Sequence, residues 1–191
     1  MRYDAEHKEK THRRIVKGAS RQLRKKGLNG PAVAQLMKAS GLTHGGFYKH
    51  FSSRDDLVVE AIEESLRELT QMMIDAAERS GSRPPWKSMI ETYLSIERCD
   101  GPDRGCPIAA LAPDFARTPP AMKRRIAAAI LKFREEMIPF MPGQTLEEKS
   151  SNFLMLMTSM VGAIAIARTM PEVTVRQRIL DTVRNGLLES F

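Results

Sequence analysis

Two cysteines, Cys99 and Cys106, are all that the chain contains, so no disulfide framework can hold it together. Nor does it begin with a basic, then apolar, then small-residue pattern, and the expected compartment is therefore a reducing cytoplasm. The longest apolar run, residues 153–167, has 15 residues and includes Thr158 and Ser159. It is short of the ~20 that cross a bilayer, which predicts a buried helix and no membrane partner. HExxH, CxxC and a glycine-rich phosphate loop are all missing. The four histidines, His7, His12, His44 and His50, share no helical face that could hold a metal. No catalytic residue, metal or cofactor is expected, and the chain is not expected to be an enzyme. Period-2 alternation is missing as well, which leaves an all-α chain.

What is present is an uneven charge. Of the net +7, residues 1–58 hold 13 Lys or Arg against 5 Asp or Glu, while residues 59–191 hold 17 against 18. A head of +8 on a body of −1 is the footprint of a polyanion-binding module, with nucleic acid the leading partner. An acidic protein partner would meet the same electrostatic requirement.

Helical spacing then divides the chain. Ile15, Ala19 and Leu23 predict a first helix ending near Gly27; Val33, Leu36 and Met37 predict a second, over 31–39, capped by Asn29 or Gly30. A turn at Gly41 and an N-cap at Thr43 open a third, to about His50, around Phe47. Ser52 with Asp55 and Ser53 with Asp56 form two capping-box patterns, so a long helix starts there and runs to about Arg79. Pro84 or Pro85 restarts a helix, a short one follows around 107–111 and past Pro113, and Pro119, Thr145 with Glu148, and Pro171 frame the last three. The expected architecture is about nine helices: a three-helix helix-turn-helix head, residues 1–55, and a helical-bundle body for ligand binding and dimerisation, residues 56–191.

In the head, Thr43, Tyr48, Lys49 and Arg54 are placed to reach phosphates, and His44 and Lys49 to reach base edges, with Gly45 and Gly46 letting the backbone approach closely. His50 is a further candidate, with an orienting role against the backbone as the alternative. Arg14, Ile15, Ala19, Leu23, Gly27, Val33 and Leu36, then Ala39-Ser40-Gly41-Leu42-Thr43-His44-Gly45-Gly46-Phe47-Tyr48-Lys49-His50-Phe51, Arg54 and Leu57, resemble the N-terminal DNA-binding domain of the TetR family of transcriptional regulators. The resemblance implies a homodimeric repressor that binds a palindromic double-stranded operator and is released by a small molecule. It assigns phosphate contacts to Tyr48 and Arg54 and base contacts to His44, Gly45 and Gly46.

In the body, Trp86, Met89, Tyr93, Phe115, Phe133, Met137, Phe153 and Met157 are candidate cavity walls, made adaptable by a supply of twelve methionines. Arg104, Asp114 and Arg117 are candidate polar anchors. Ser159, Gly162, Ala163 and Ala167 on the eighth helix and Ile179, Val183 and Leu187 on the ninth are candidate dimer contacts, similar to the family's four-helix interface. Cys99 and Cys106, seven positions apart, leave open a thiol-redox-responsive regulator. A small-molecule-binding protein that docks an acidic partner is the other alternative.

Overall fold

The structure, a computed structural model, describes the backbone of residues 2–30, 32–39, 41 and 44–191, and the side chains of these except 2–5, 39, 44 and 102. Among the described residues there are nine α-helices, three short 3-10 segments and no strand, so the chain is all-α. Helix α1 (Arg2–Lys26) buries Ile15, Ala19 and Leu23 and ends at Gly27, whose φ of 79° lets its N–H reach the Leu23 carbonyl at 2.8 Å.

Helix α2 (Val33–Ala39) begins differently from expectation. The Ala32 carbonyl accepts the first bonds, from Gln35 at 2.9 Å and Leu36 at 3.1 Å, which makes Ala32 the capping residue instead of Asn29 or Gly30. Alanine has no side-chain acceptor for the free N–H groups of that first turn. Ala32→Ser is expected to stabilise the protein by ~1 kcal/mol, measured by urea unfolding.

The expected third helix is a 3-10 segment, His44–Lys49, six residues that contain both glycines. So short and glycine-rich a stretch favours the tighter turn. Helix α3 (Arg54–Glu78) follows, 25 residues or ~38 Å. Ser53 caps it by accepting the Asp56 N–H at 3.1 Å; Ser52 also turns to the Asp56 carboxylate, at 2.8 Å, in place of the anticipated Asp55 pairing.

The body consists of α4 (Pro85–Tyr93), α5 (Ile96–Asp100), α6 (Pro107–Ala116), α7 (Pro120–Met137), α8 (Leu146–Ala167) and α9 (Val173–Ser190). The sequence pattern did not single out α5, which restarts after Leu94 leaves helical geometry. The Thr145–Glu148 capping box forms with both of its bonds. Helix α8, at 22 residues and mean hydropathy 1.5, is long and apolar enough to cross a membrane by those measures. In this fold one of its faces joins the core and the other is exposed, where a buried helix was expected.

A contiguous core runs from Ile15 through α3 to Leu187. Polar contacts tie the head and the start of α3 to the body. The buried Arg24 donates to the Gly105 carbonyl at 3.1 Å and to Glu68 at 2.7 Å; Asp114 of α6 accepts the Leu28 N–H at 2.9 Å; Arg125 of α7 meets Asp56 at 2.7 Å. The Arg125 bond and the two serine hydroxyls lower the Asp56 carboxyl to about 2.

Candidate nucleic-acid interface and body cavities

Behind the His44–Lys49 segment the packing is aromatic. Phe47 and Phe51 are buried with ring centroids 5.4 Å apart, and Phe51 stacks on His12 of α1 at 4.5 Å. The Phe47 carbonyl accepts both the His50 and Phe51 N–H groups, at 2.9 and 3.0 Å, which closes the segment against the head. This leaves an outward edge of Gly45, Tyr48 at 73% exposure, and Lys49. A Cβ placed on Gly45 would meet nothing within 4 Å among the described residues, so that edge is open on their side. Thr43 lies outside the described residues, as does the side chain of His44.

Two candidates turn inward. His50 leans toward α1, its ring 5.9 Å from that of His12, with Nδ1 buried and without a partner among the described residues. Burial lowers its pKa below 6.5, and the positive charge of His12, Lys8 and Lys49 lowers it further. The folded state therefore resists a proton that the unfolded chain accepts. His50 contributes stability in full above pH ~6.5 and loses it as pH falls through its lower folded value. Thermal melts from pH 7.5 to 5 are expected to show a loss for the native protein that His50→Phe reduces. Arg54, the first residue of α3, donates to the Leu28 carbonyl and fastens the α1–α2 turn. Its guanidinium is engaged internally, where phosphate contact alone was anticipated.

All eight candidate cavity residues are buried. Trp86, Met89, Met137, Phe153 and Met157 gather with Met73, Ile90, Met141, Leu156 and Met160 around a hollow of about 10 Å³. Tyr93 faces a second hollow, Phe115 packs in α6, and Phe133 stands edge-on to Phe153 at 6.0 Å. Phe133 also forms part of the wall of an open groove of about 650 Å³ between α1, α3 and α7. The proposed anchors do other work: Asp114 holds Leu28, and Arg104 and Arg117 face outward. The sequence reading missed Met73, Met141 and Met160, which lie on the same faces as their neighbours in α3, the turn after α7, and α8. Cys99 and Cys106 are both free and buried, and burial pushes both thiols up, away from the thiolate that oxidants attack.

The expected dimer stripe is divided. Ala163, Ala167 and Leu187 are buried inside the protomer, so they cannot meet a partner; Ser159, Gly162, Ile179 and Val183 remain partly exposed. The outward face of α8 instead carries Leu154 at 55%, Met155 at 58% and Ile166 at 57% exposure.

Residues 15–61 match the sequence profile of bacterial regulatory proteins, tetR family. The chain is 27% identical over 96 residues to the HTH-type transcriptional regulator TtgR of Pseudomonas putida, a match covering 50% of this chain and 45% of that protein. It is 34% identical over 73 residues to an HTH-type transcriptional regulator of Haemophilus influenzae, covering 38% of this chain and 36% of the relative. The chain thus spans less than half the length of these curated relatives. A crystal structure of a TetR-family transcriptional regulator from Cytophaga hutchinsonii superposes with a TM-score of 0.75 at 18% identity, over 96% of each chain, and shows a shared fold.

Proposed function

We propose that the chain, whose residues 15–61 match the profile of bacterial regulatory proteins, tetR family, is a ligand-responsive repressor that binds a palindromic operator as a homodimer in the cytoplasm. The observation that carries this reading is the open edge of Gly45, Tyr48 and Lys49, presented by a basic head whose aromatic core closes behind it. One such edge spans too few base pairs for useful selectivity, and a two-fold pair matches a two-fold site. The exposed Leu154, Met155 and Ile166, beside Gly162 on α8, supply an apolar face for that pairing, with the partly exposed Ile179 and Val183 of α9 next to it. Responsiveness is supported by the ties from Gly105 and Asp114 to the head and from Arg125 of α7 to the start of α3, since Cys106, next to Gly105, lines one hollow and Met137 of α7 the other.

Gel shifts with the DNA upstream of the chain's own coding region test the reading. If a dimer neutralises about eight phosphates, log affinity falls against log salt with a slope of about −7. A slope near zero on every DNA tried would overturn it. Tyr48→Ala is expected to weaken binding on all sequences together, as loss of a phosphate contact does.

A further inference from the structure

Two small hollows lie end to end in the body. The first is the methionine-walled one around Trp86; the second, also about 10 Å³, is bounded by Leu69, Met72, Tyr93, Arg98, Cys106 and Ile164. The same three helices wall both. Leu69 and Met73 on α3, Tyr93 and Met89 on α4, and Ile164 and Met160 on α8 are each four residues apart, so the hollows adjoin one helical turn along the bundle. Their chemistries are opposite.

The first hollow is lined by methionine, isoleucine, leucine, phenylalanine and tryptophan, with no charged group. The second is bordered by polar donors, one of them without a partner among the described residues. Tyr93 is 2% exposed, and its hydroxyl makes no hydrogen bond among the described residues; the Cys106 thiol beside it is a weak partner. Arg98 lines this hollow, and Arg168 lies next to its Cys106 wall, against Gly105; neither has a carboxylate at ion-pair distance among the described residues, and both donate only to backbone carbonyls. Arg168 reaches Cys99 at 2.9 Å and Arg98 at 3.0 Å, and Arg98 reaches Arg104 at 2.9 Å. Arg168 lies across Gly105 so closely that a Cβ there would be 2.4 Å from its Nη2, which holds the guanidinium in the bundle. Arg24 and Arg104 add positive charge around Arg98, against the smaller opposing effect of Glu68, while Asp100 acts on Arg168 from beyond ion-pair distance. The ten-residue helix α6 starts here and points its positive end inward at Cys106. Partly buried guanidinium groups bonded only to carbonyls, an unmet hydroxyl and a helix N-terminus would each gain from the same thing, a negatively charged acceptor inside the hollow.

We propose that the two hollows are one effector site for an apolar monocarboxylic acid, its tail among the methionines and its carboxylate at Tyr93, Arg98 and Arg168. The inference rests on the ligand-responsive reading and gives it a chemical class. Each hollow holds at most a single water, so the tail enters by displacing methionine side chains, whose flexible thioethers permit it. The carboxylate would engage the Gly105 loop from one side while Arg24 of α1 holds the Gly105 carbonyl from the other.

Trp86 is the chain's one tryptophan and lies on the apolar wall, so its fluorescence reports occupancy. The span from Trp86 to Tyr93 along α4 is ~10 Å, which suits an eight-carbon probe. Octanoate, octan-1-ol and octylammonium are titrated against the full chain. Octanoate is expected to bind at least tenfold more tightly than the other two. Tyr93→Phe is expected to keep the melting temperature while weakening octanoate about tenfold and leaving octan-1-ol unchanged, and Arg168→Gln to act in the same direction. Equal affinity for octan-1-ol, tighter binding of octylammonium, no response to octanoate, or an unaffected Tyr93→Phe would each overturn the proposal. Operator release is followed in parallel. If octanoate binds selectively but DNA stays bound, the carboxylate site stands and the effector reading fails. If octan-1-ol releases DNA as well as octanoate does, the reverse holds.

Discussion

Gly45→Val is expected to weaken operator binding at least tenfold while the melting temperature stays the same or rises. The two effects separate because of where the glycine sits. A Cβ there meets nothing within 4 Å among the described residues, and Gly45 is not among the glycines with positive φ, so valine strains neither their packing nor the backbone. Replacing a glycine whose native conformation suits a larger residue also restricts the unfolded chain, which favours folding by roughly 0.4–1 kcal/mol. The space that is free in the protein alone is the space that the DNA surface occupies in the proposed complex, and two γ-methyl groups hold the backbone away from it. Thermal melts and gel shifts on the same preparation check both halves. Undiminished binding would place Gly45 away from the DNA.

Arg24→Ala has the largest expected effect on stability, a loss of about 3 kcal/mol, or ~10 °C in melting temperature for a chain of this length. The Arg24 side chain is 1% exposed. It serves four acceptors at once: the Ser20 carbonyl, the Ser20 hydroxyl, the Gly105 carbonyl and Glu68. Truncation leaves the carboxylate half-buried and the Gly105 carbonyl unmet, and removes a stem packed between α1 and α3. Because Gly105 belongs to the body and Arg24 to the head, the same change loosens the seam between them. Urea unfolding followed at Trp86 for the body and by far-ultraviolet dichroism for the whole chain is expected to shift to lower midpoint by both probes. A change below 1 kcal/mol would show that Arg24 fills space without joining the two halves.

Local features were the legible ones. Ser53 with Asp56 and Thr145 with Glu148 cap helices three residues away, and a pattern that short is visible in the chain itself. The aromatic pair Phe47 and Phe51 was readable as core for the same reason. What escaped depended on distant partners. Asp114 looked like an anchor for a ligand, but its acceptor serves Leu28, 86 positions earlier. His50 was open between a DNA contact and an orienting role, and its neighbour His12, which stacks on Phe51, comes from α1, 38 positions earlier. Helix α8 misled in another way. It is apolar nearly all round, so periodicity gives it no direction, and the small residues at 163 and 167 face the core while Leu154, Met155 and Ile166 face out. The methionine hollow was half legible, since the aromatic members drew attention and Met73, Met141 and Met160 did not.

Helix α3 is one uninterrupted rod that begins at the Ser53 cap in the head and ends at Glu78 in the body. Its ~38 Å length makes it a lever arm: a tilt of about 5° about the body end swings the head end by ~3 Å. The rise per base pair along one strand of B-DNA is 3.4 Å. Two such rods in a symmetric pair would be thrown out of step with the two halves of an operator by a rearrangement no larger than the repacking of a few methionines.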